Sequence, residues 1–138
     1  MADVHSKETR SYNMSQIKGK DTKPEVLVRR FLFSKGLRFR KNDKRYPGHP
    51  DIVLPKYKTI VFIHGCFWHL HEGCRYAKIP LSNVDFWENK LYGNRDRDKR
   101  NQDMLTEMGW RVITIWECQL KKDQRDETLE KLYQEIIS

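Results

Sequence analysis

The sequence predicts an α/β sandwich in which helices cover a small mixed β-sheet, and three observations carry that expectation. Residues 59–63, Thr-Ile-Val-Phe-Ile, are β-branched and apolar without a break, as a strand buried on both faces must be. Residues 110–116 form a second strong strand run. Segments with a helical apolar stripe begin and end the patterned part of the chain, giving the order helix, strands, helices, strand, helix.

The elements follow from local chemistry. A helix over residues 22–36 is announced by Thr22-Lys23-Pro24-Glu25, which combines an N-cap hydroxyl, an early proline and an acidic third helical residue. Gly36 ends it. Leu27, Phe31 and Leu32, with Val28 beside them, form the stripe expected to pack inward. Leu37-Arg38-Phe39-Arg40 alternates like a half-buried strand, the turn of residues 46–50 interrupts it, and a short strand follows over residues 51–54. Residues 83–91 and 94–108 read as two helices, the second highly charged and stopped by Gly109. Leu129, Leu132, Tyr133 and Ile136 give the terminal helix over residues 127–137 its apolar stripe.

The chain has 138 residues, 27 Lys+Arg against 19 Asp+Glu, and a net charge of +8, so a polyanionic partner is expected. Its longest uninterrupted apolar stretch, residues 60–63, is far short of the roughly 20 residues of a membrane-spanning helix. The polar N-terminus also lacks a signal-peptide stretch, so the expected location is cytoplasmic. Residues 1–20 have no sustained apolar face and read as a basic arm that orders on a partner, with residues 21–138 forming one domain.

Three cysteines cannot pair completely, which favours a reducing compartment with thiols used for metal. Two of them fall with two histidines in Gly65-Cys66-Phe67-Trp68-His69-Leu70-His71-Glu72-Gly73-Cys74. Cys66, His71, Cys74 and Cys118 make a closed Cys₃His set suited to a structural zinc ion and use every cysteine; the alternative is three unrelated buried thiols. Asp51 opens one strand and His64 closes the next, so a carboxylate and a strand end meet at one sheet edge, a place where magnesium can be held. His64 and His69 remain free to move a proton, and Glu25 can orient a hydrated metal. The bland alternatives are a turn residue at Asp51, a capping role alone for Glu25 and surface histidines.

Together, Pro50-Asp51, His64-Gly65-Cys66-Phe67-Trp68-His69, Phe86-Trp87 with Lys90, Asn94 and Asp98, Gly109-Trp110-Arg111-Val112 and Trp116-Glu117-Cys118 resemble the very short patch repair endonucleases. Thr9-Arg10-Ser11, Met14 and Asp21-Thr22 fit the same pattern. The resemblance implies a restriction-endonuclease-like fold with a degenerate PD-(D/E)XK motif. It implies a bacterial enzyme that nicks double-stranded DNA 5′ to the thymine of a T:G mismatch arising from 5-methylcytosine deamination. Asp51 and the Ile63 carbonyl then hold Mg²⁺, with Ile63 standing where the family pattern has threonine. His69 is the general base oriented by Asp98, while His64 and Glu25 assist. Cys66, His71, Cys74 and Cys118 hold Zn²⁺. Phe67, Trp68 and Trp87 intercalate from one groove and Met14 from the other; the plain alternative for these side chains is core packing. A monomer working alongside a cytosine-5 DNA methyltransferase, and associated with the nucleoid when bound to DNA, completes the expectation. The rival without catalysis is a zinc-stabilised DNA-binding module, and a zinc hydrolase of small substrates would need an open zinc position.

Overall fold

A computed structural model describes residues 22–138; the basic arm of residues 1–20, with Met14, lies outside the described residues. The elements are α1 (Lys23–Ser34), β1 (Arg40–Lys41), β2 (Ile52–Leu54), β3 (Thr59–His64), α2 (Val84–Glu107), β4 (Arg111–Trp116) and α3 (Arg125–Ile137). The sheet order is β1-β2-β3-β4, with β1–β2 and β2–β3 antiparallel and β3–β4 parallel. The expected mixed sheet is therefore present.

Strand alternation sorts the core into two layers. Val61 and Ile63 of β3, with Ile113 and Ile115 of β4, join Val28 and Leu32 of α1 and Leu129, Leu132 and Ile136 of α3 on one face. Ile60 and Phe62 point the other way, to Leu105 of α2 and Trp110. Continuing the same alternation, His64 projects on the α2 side, and this parity is what brings it to the site.

Three details depart from the expected pattern. The α1 stripe is rotated: Glu25, Val28, Arg29 and Leu32 are buried, while Leu27 and Phe31 are only half-buried. A helix with two charged residues on its buried side has something polar to meet there. The β1 strand shrinks to two residues because β2, its partner, is three residues long and offers two register pairs, Arg40 to Val53 and Lys41 to Ile52. The two expected helices over residues 83–108 are one, the 24-residue α2. It runs through Gly93, since an interior glycine costs a helix only about 1 kcal/mol and no proline stands nearby. Gly109, at φ +92°, supplies the left-handed residue after the end. No helix among the described residues is long and apolar enough to cross a membrane.

Candidate active site and metal cluster

The antiparallel β2–β3 pair sets the start of β2 beside the end of β3, and there the Ile63 N–H donates to Asp51 Oδ2 at 2.6 Å. Glu25 approaches from α1. Its Oε2 accepts the Thr22 N–H at 2.6 Å, its own N–H reaches Thr22 Oγ1 at 3.5 Å, and its carboxyl also lies within hydrogen-bond reach of Asp51. The capping reading of Glu25 thus holds, but it does not exhaust what the residue touches. Burial, reinforced by the neighbouring Glu25, pushes the Asp51 carboxyl up to about 8 against the opposing pull of the Ile63 N–H and the Arg29 guanidinium. Two carboxyls facing each other in a half-closed space form a donor set that suits a hard divalent cation.

Across the cleft stands a second group. The rings of His64 and His69 stack 3.9 Å apart and nearly parallel, at 4°. His69 Nδ1 meets Asp98 Oδ2 at 2.5 Å, which leaves Nε2 as the ring nitrogen without that partner. Asp98 comes from the middle of α2, and Asn94, one turn earlier, donates from Nδ2 to the Trp68 carbonyl at 3.0 Å, tying the loop after β3 to the helix. Burial, with His69 alongside, drives His64 down to about 4, so its imidazole is neutral at ordinary pH. The two groups line one cleft of about 700 Å³, together with Thr22, Gly48, His49, Trp68, Asn101, Gln102 and Glu117. Gly48 is at φ +80°, and a Cβ there would sit 3.2 Å from the Phe62 ring and from Asn101 Cβ, so the turn closes tightly on α2.

The ligand atoms of Cys66, His71, Cys74 and Cys118 all lie within 4.8 Å of one another. Local backbone bonds shape the loop: the His71 N–H donates to the Cys66 carbonyl at 3.0 Å and the Cys74 N–H to the His71 carbonyl at 3.2 Å. Cys118 arrives on the 3₁₀ turn Glu117–Leu120 directly after β4, its N–H donating to Cys66 Sγ at 3.4 Å. The His71 ring stacks on Trp116 at 4.1 Å. Burial pushes the Cys66 thiol up to about 12 and raises Cys118, whereas the Tyr76 N–H lowers Cys74. A divalent cation supplies the counter-charge that thiolates in this pocket require. The residues therefore fit a four-coordinate metal, and their donor chemistry is that of a closed site.

Residues 2–75 match the family model described as DNA mismatch endonuclease Vsr. The chain belongs to that family. It is 54% identical over 137 residues to the type II nicking enzyme V.NmeAIP of Neisseria meningitidis, covering 99% of this chain and 97% of the relative. The type II nicking enzyme V.XorIIP of Xanthomonas oryzae is 48% identical, with 87% and 88% covered. The DNA mismatch endonuclease Vsr of Escherichia coli is 43% identical, with 99% and 88% covered.

Four aromatic side chains of this Vsr-family chain cluster around Trp68, which lines the cleft. Phe67 packs edge-on against Trp68 at 5.1 Å and Trp87 at 5.5 Å, and Phe86 against Trp87 at 5.1 Å. Trp68 is 45% exposed and Phe86 59%. Core packing is therefore not their fate; neither member of the Phe86-Trp87 pair turns into the core, because the flank of α2 that carries them faces the loop after β3 rather than the sheet. The structure thus brings Asp51, Glu25, Ile63, His64, His69 and Asp98 to one cleft and the four thiol and imidazole donors to one cluster. Arg29, His49, Asn101 and Gln102 went unread. Asn101 and Gln102 follow Asp98 by three and four residues, a helical spacing that points to the same face. Arg29 follows Glu25 by four, the same signal on α1.

Proposed function

We propose that this chain is a magnesium-dependent endonuclease that nicks double-stranded DNA on the 5′ side of the thymine in a T:G mismatch. The observation that carries the reading is the one cleft in which the buried Glu25 and half-buried Asp51 carboxyls share the lining with an Asp98-oriented imidazole, with a half-exposed tryptophan at its edge. Asp51 and the Ile63 carbonyl are the protein ligands for magnesium, and Glu25 orients water beside them. Bound there, the ion supplies Lewis-acid stabilisation of charge developing on the phosphate and lowers the pKa of a bound water. His69 Nε2 takes the proton from the attacking water, while Asp98 at Nδ1 holds the ring in the tautomer that leaves Nε2 able to accept. His64, kept neutral by burial, supports the His69 ring by stacking and donates toward the phosphate.

Zinc at Cys66, His71, Cys74 and Cys118 serves structure, since all four positions of a tetrahedron are filled by protein. Phe67, Trp68 and Trp87 wedge into the duplex, which a mismatched step permits at lower unstacking cost than a paired one. The arm of residues 1–20 adds basic phosphate contacts and Met14 a wedge from the opposite groove. As a cytoplasmic monomer, the enzyme would repair T:G mismatches left when the 5-methylcytosine made by a cytosine-5 DNA methyltransferase deaminates.

The test is a nicking assay with magnesium on duplexes carrying T:G, U:G or paired T:A. Strand cleavage confined to the mispaired duplexes is expected. Equal cleavage of the T:A duplex defeats the mismatch reading, and no cleavage with any divalent ion leaves a DNA-binding module.

A further inference from the structure

Glu25 uses one carboxylate for two purposes, and the geometry shows what holds it in place. Capping boxes commonly sit at solvated helix ends, but this one is buried, with Glu25 only 3% exposed and Thr22 lining the same cleft. A glutamate side chain turns about three torsions, so the two carboxyls keep one mutual geometry only where the backbone holds Glu25 in a single rotamer. The tether is the Thr22 N–H, 2.6 Å from Oε2. Its direction is set by the extended Thr22 backbone, at φ −69° and ψ 164°, and by the Thr22 carbonyl accepting the Val26 N–H at 2.9 Å.

We propose that Thr22 is a positioning residue for the cation-holding end of the cleft: its backbone N–H fixes the Glu25 carboxylate against Asp51 before any ion arrives. The inference rests on the reading of Asp51 and Glu25 as the residues that meet magnesium. A helix start thereby becomes part of the site, and the hydroxyl of Thr22 matters less than its amide.

The observed φ makes the amide separable from the hydroxyl. Proline requires φ near −65°, so Thr22→Pro keeps the backbone path and removes the N–H, while Thr22→Ala removes the hydroxyl alone. Binding of Mn²⁺ to zinc-loaded protein without DNA, followed by electron paramagnetic resonance with Asp51→Ala as the blank, reads the site independently of nicking. T22P is expected to bind Mn²⁺ about tenfold more weakly than T22A, the worth of one hydrogen bond to a charged group. T22A stays within a few-fold of the wild type. Equal Mn²⁺ binding by T22P and T22A overturns the proposal, as does wild-type binding no stronger than that of the blank. Should T22P fail to fold, Thr22→Gly replaces it: glycine caps a helix far better than alanine but lets the amide wander. T22G is then expected to match or exceed T22A in melting temperature yet bind Mn²⁺ less tightly, and binding equal to T22A overturns the proposal. Wild-type nicking of the T:G duplex is assayed in parallel. Thr22-dependent Mn²⁺ binding without nicking defeats the functional reading alone, and nicking with Thr22-insensitive binding defeats this inference alone.

Discussion

Two clusters share the eleven residues from His64 to Cys74 and alternate along them: His64 and His69 belong to the cleft, Cys66, His71 and Cys74 to the metal cluster. They differ in how completely their polar groups are matched. The cleft is open, about 700 Å³, and holds a facing carboxyl pair; the pocket beside Cys66 and Cys118 is about 110 Å³, and the four donors of the cluster converge to within 4.8 Å of one another. A histidine in this loop takes its role from the partner the fold gives it. His69 meets the carboxylate of Asp98 and can pass a proton, whereas His71 meets the Cys118 thiol at 3.4 Å and can bind metal.

Breaking the closed cluster should have the largest effect, because it removes both. Cys118→Ser, or treatment with a strong chelator, is expected to lower the melting temperature by more than about 10 °C or abolish cooperative unfolding, given the large share of folding free energy a structural metal contributes. Calorimetry with and without chelator measures this, and an unchanged transition would rule out a structural metal. Attacking the open cluster should spare the fold. Asp51→Ala is expected to cut nicking by about 10³-fold or more while mismatch binding in a gel-shift assay persists. Wild-type nicking by this variant would sink the carboxylate assignment. Asp98→Asn comes next, at about 10²-fold, since His69 keeps its place but loses the partner that sets its tautomer.

The smallest effect lies outside both clusters and serves as a control. Asp43 accepts from Arg45 Nε at 3.0 Å and Nη2 at 2.7 Å, and that pairing holds its carboxyl down at about 2, below the ordinary 3.8. A depressed carboxylate stabilises the fold above the unfolded value and loses that contribution as pH falls from 3.8 towards 2. Asp43→Asn should therefore lower the urea midpoint slightly at pH 6, with the difference from wild type closing over that interval. A gap that widens on acidification would contradict the sign.

Much of this arrangement was legible in the sequence because it depends on short-range rules. The Cys₃His set follows from counting ligands, and the meeting of Asp51 with Ile63 follows from two antiparallel strands joined by a short turn. The capping box at Thr22 was equally plain, but its cleft-facing side was not, since the rotation of α1 that buries Glu25 and Arg29 is decided by packing. Leu27 and Phe31 looked like the inward stripe because apolarity was the only available guide, and a buried charged pair runs against that guide. Asn101 carried a signal in its helical spacing from Asp98, but His49 did not: it reaches the cleft only through the turn before β2 closing on α2, a contact between residues far apart in the chain.

Gly48 sits where the turn before β2 touches α2, with a Cβ excluded by Phe62 and Asn101. It acts as a spacer of zero thickness between two jaws, one carrying Asp51 and the other Asp98. A Cβ at this point would press to 3.2 Å on both the Phe62 ring and Asn101, so the turn or the helix would have to give by a few tenths of an ångström. The gap of the cleft is thus gauged by a residue with no side chain and no chemistry of its own.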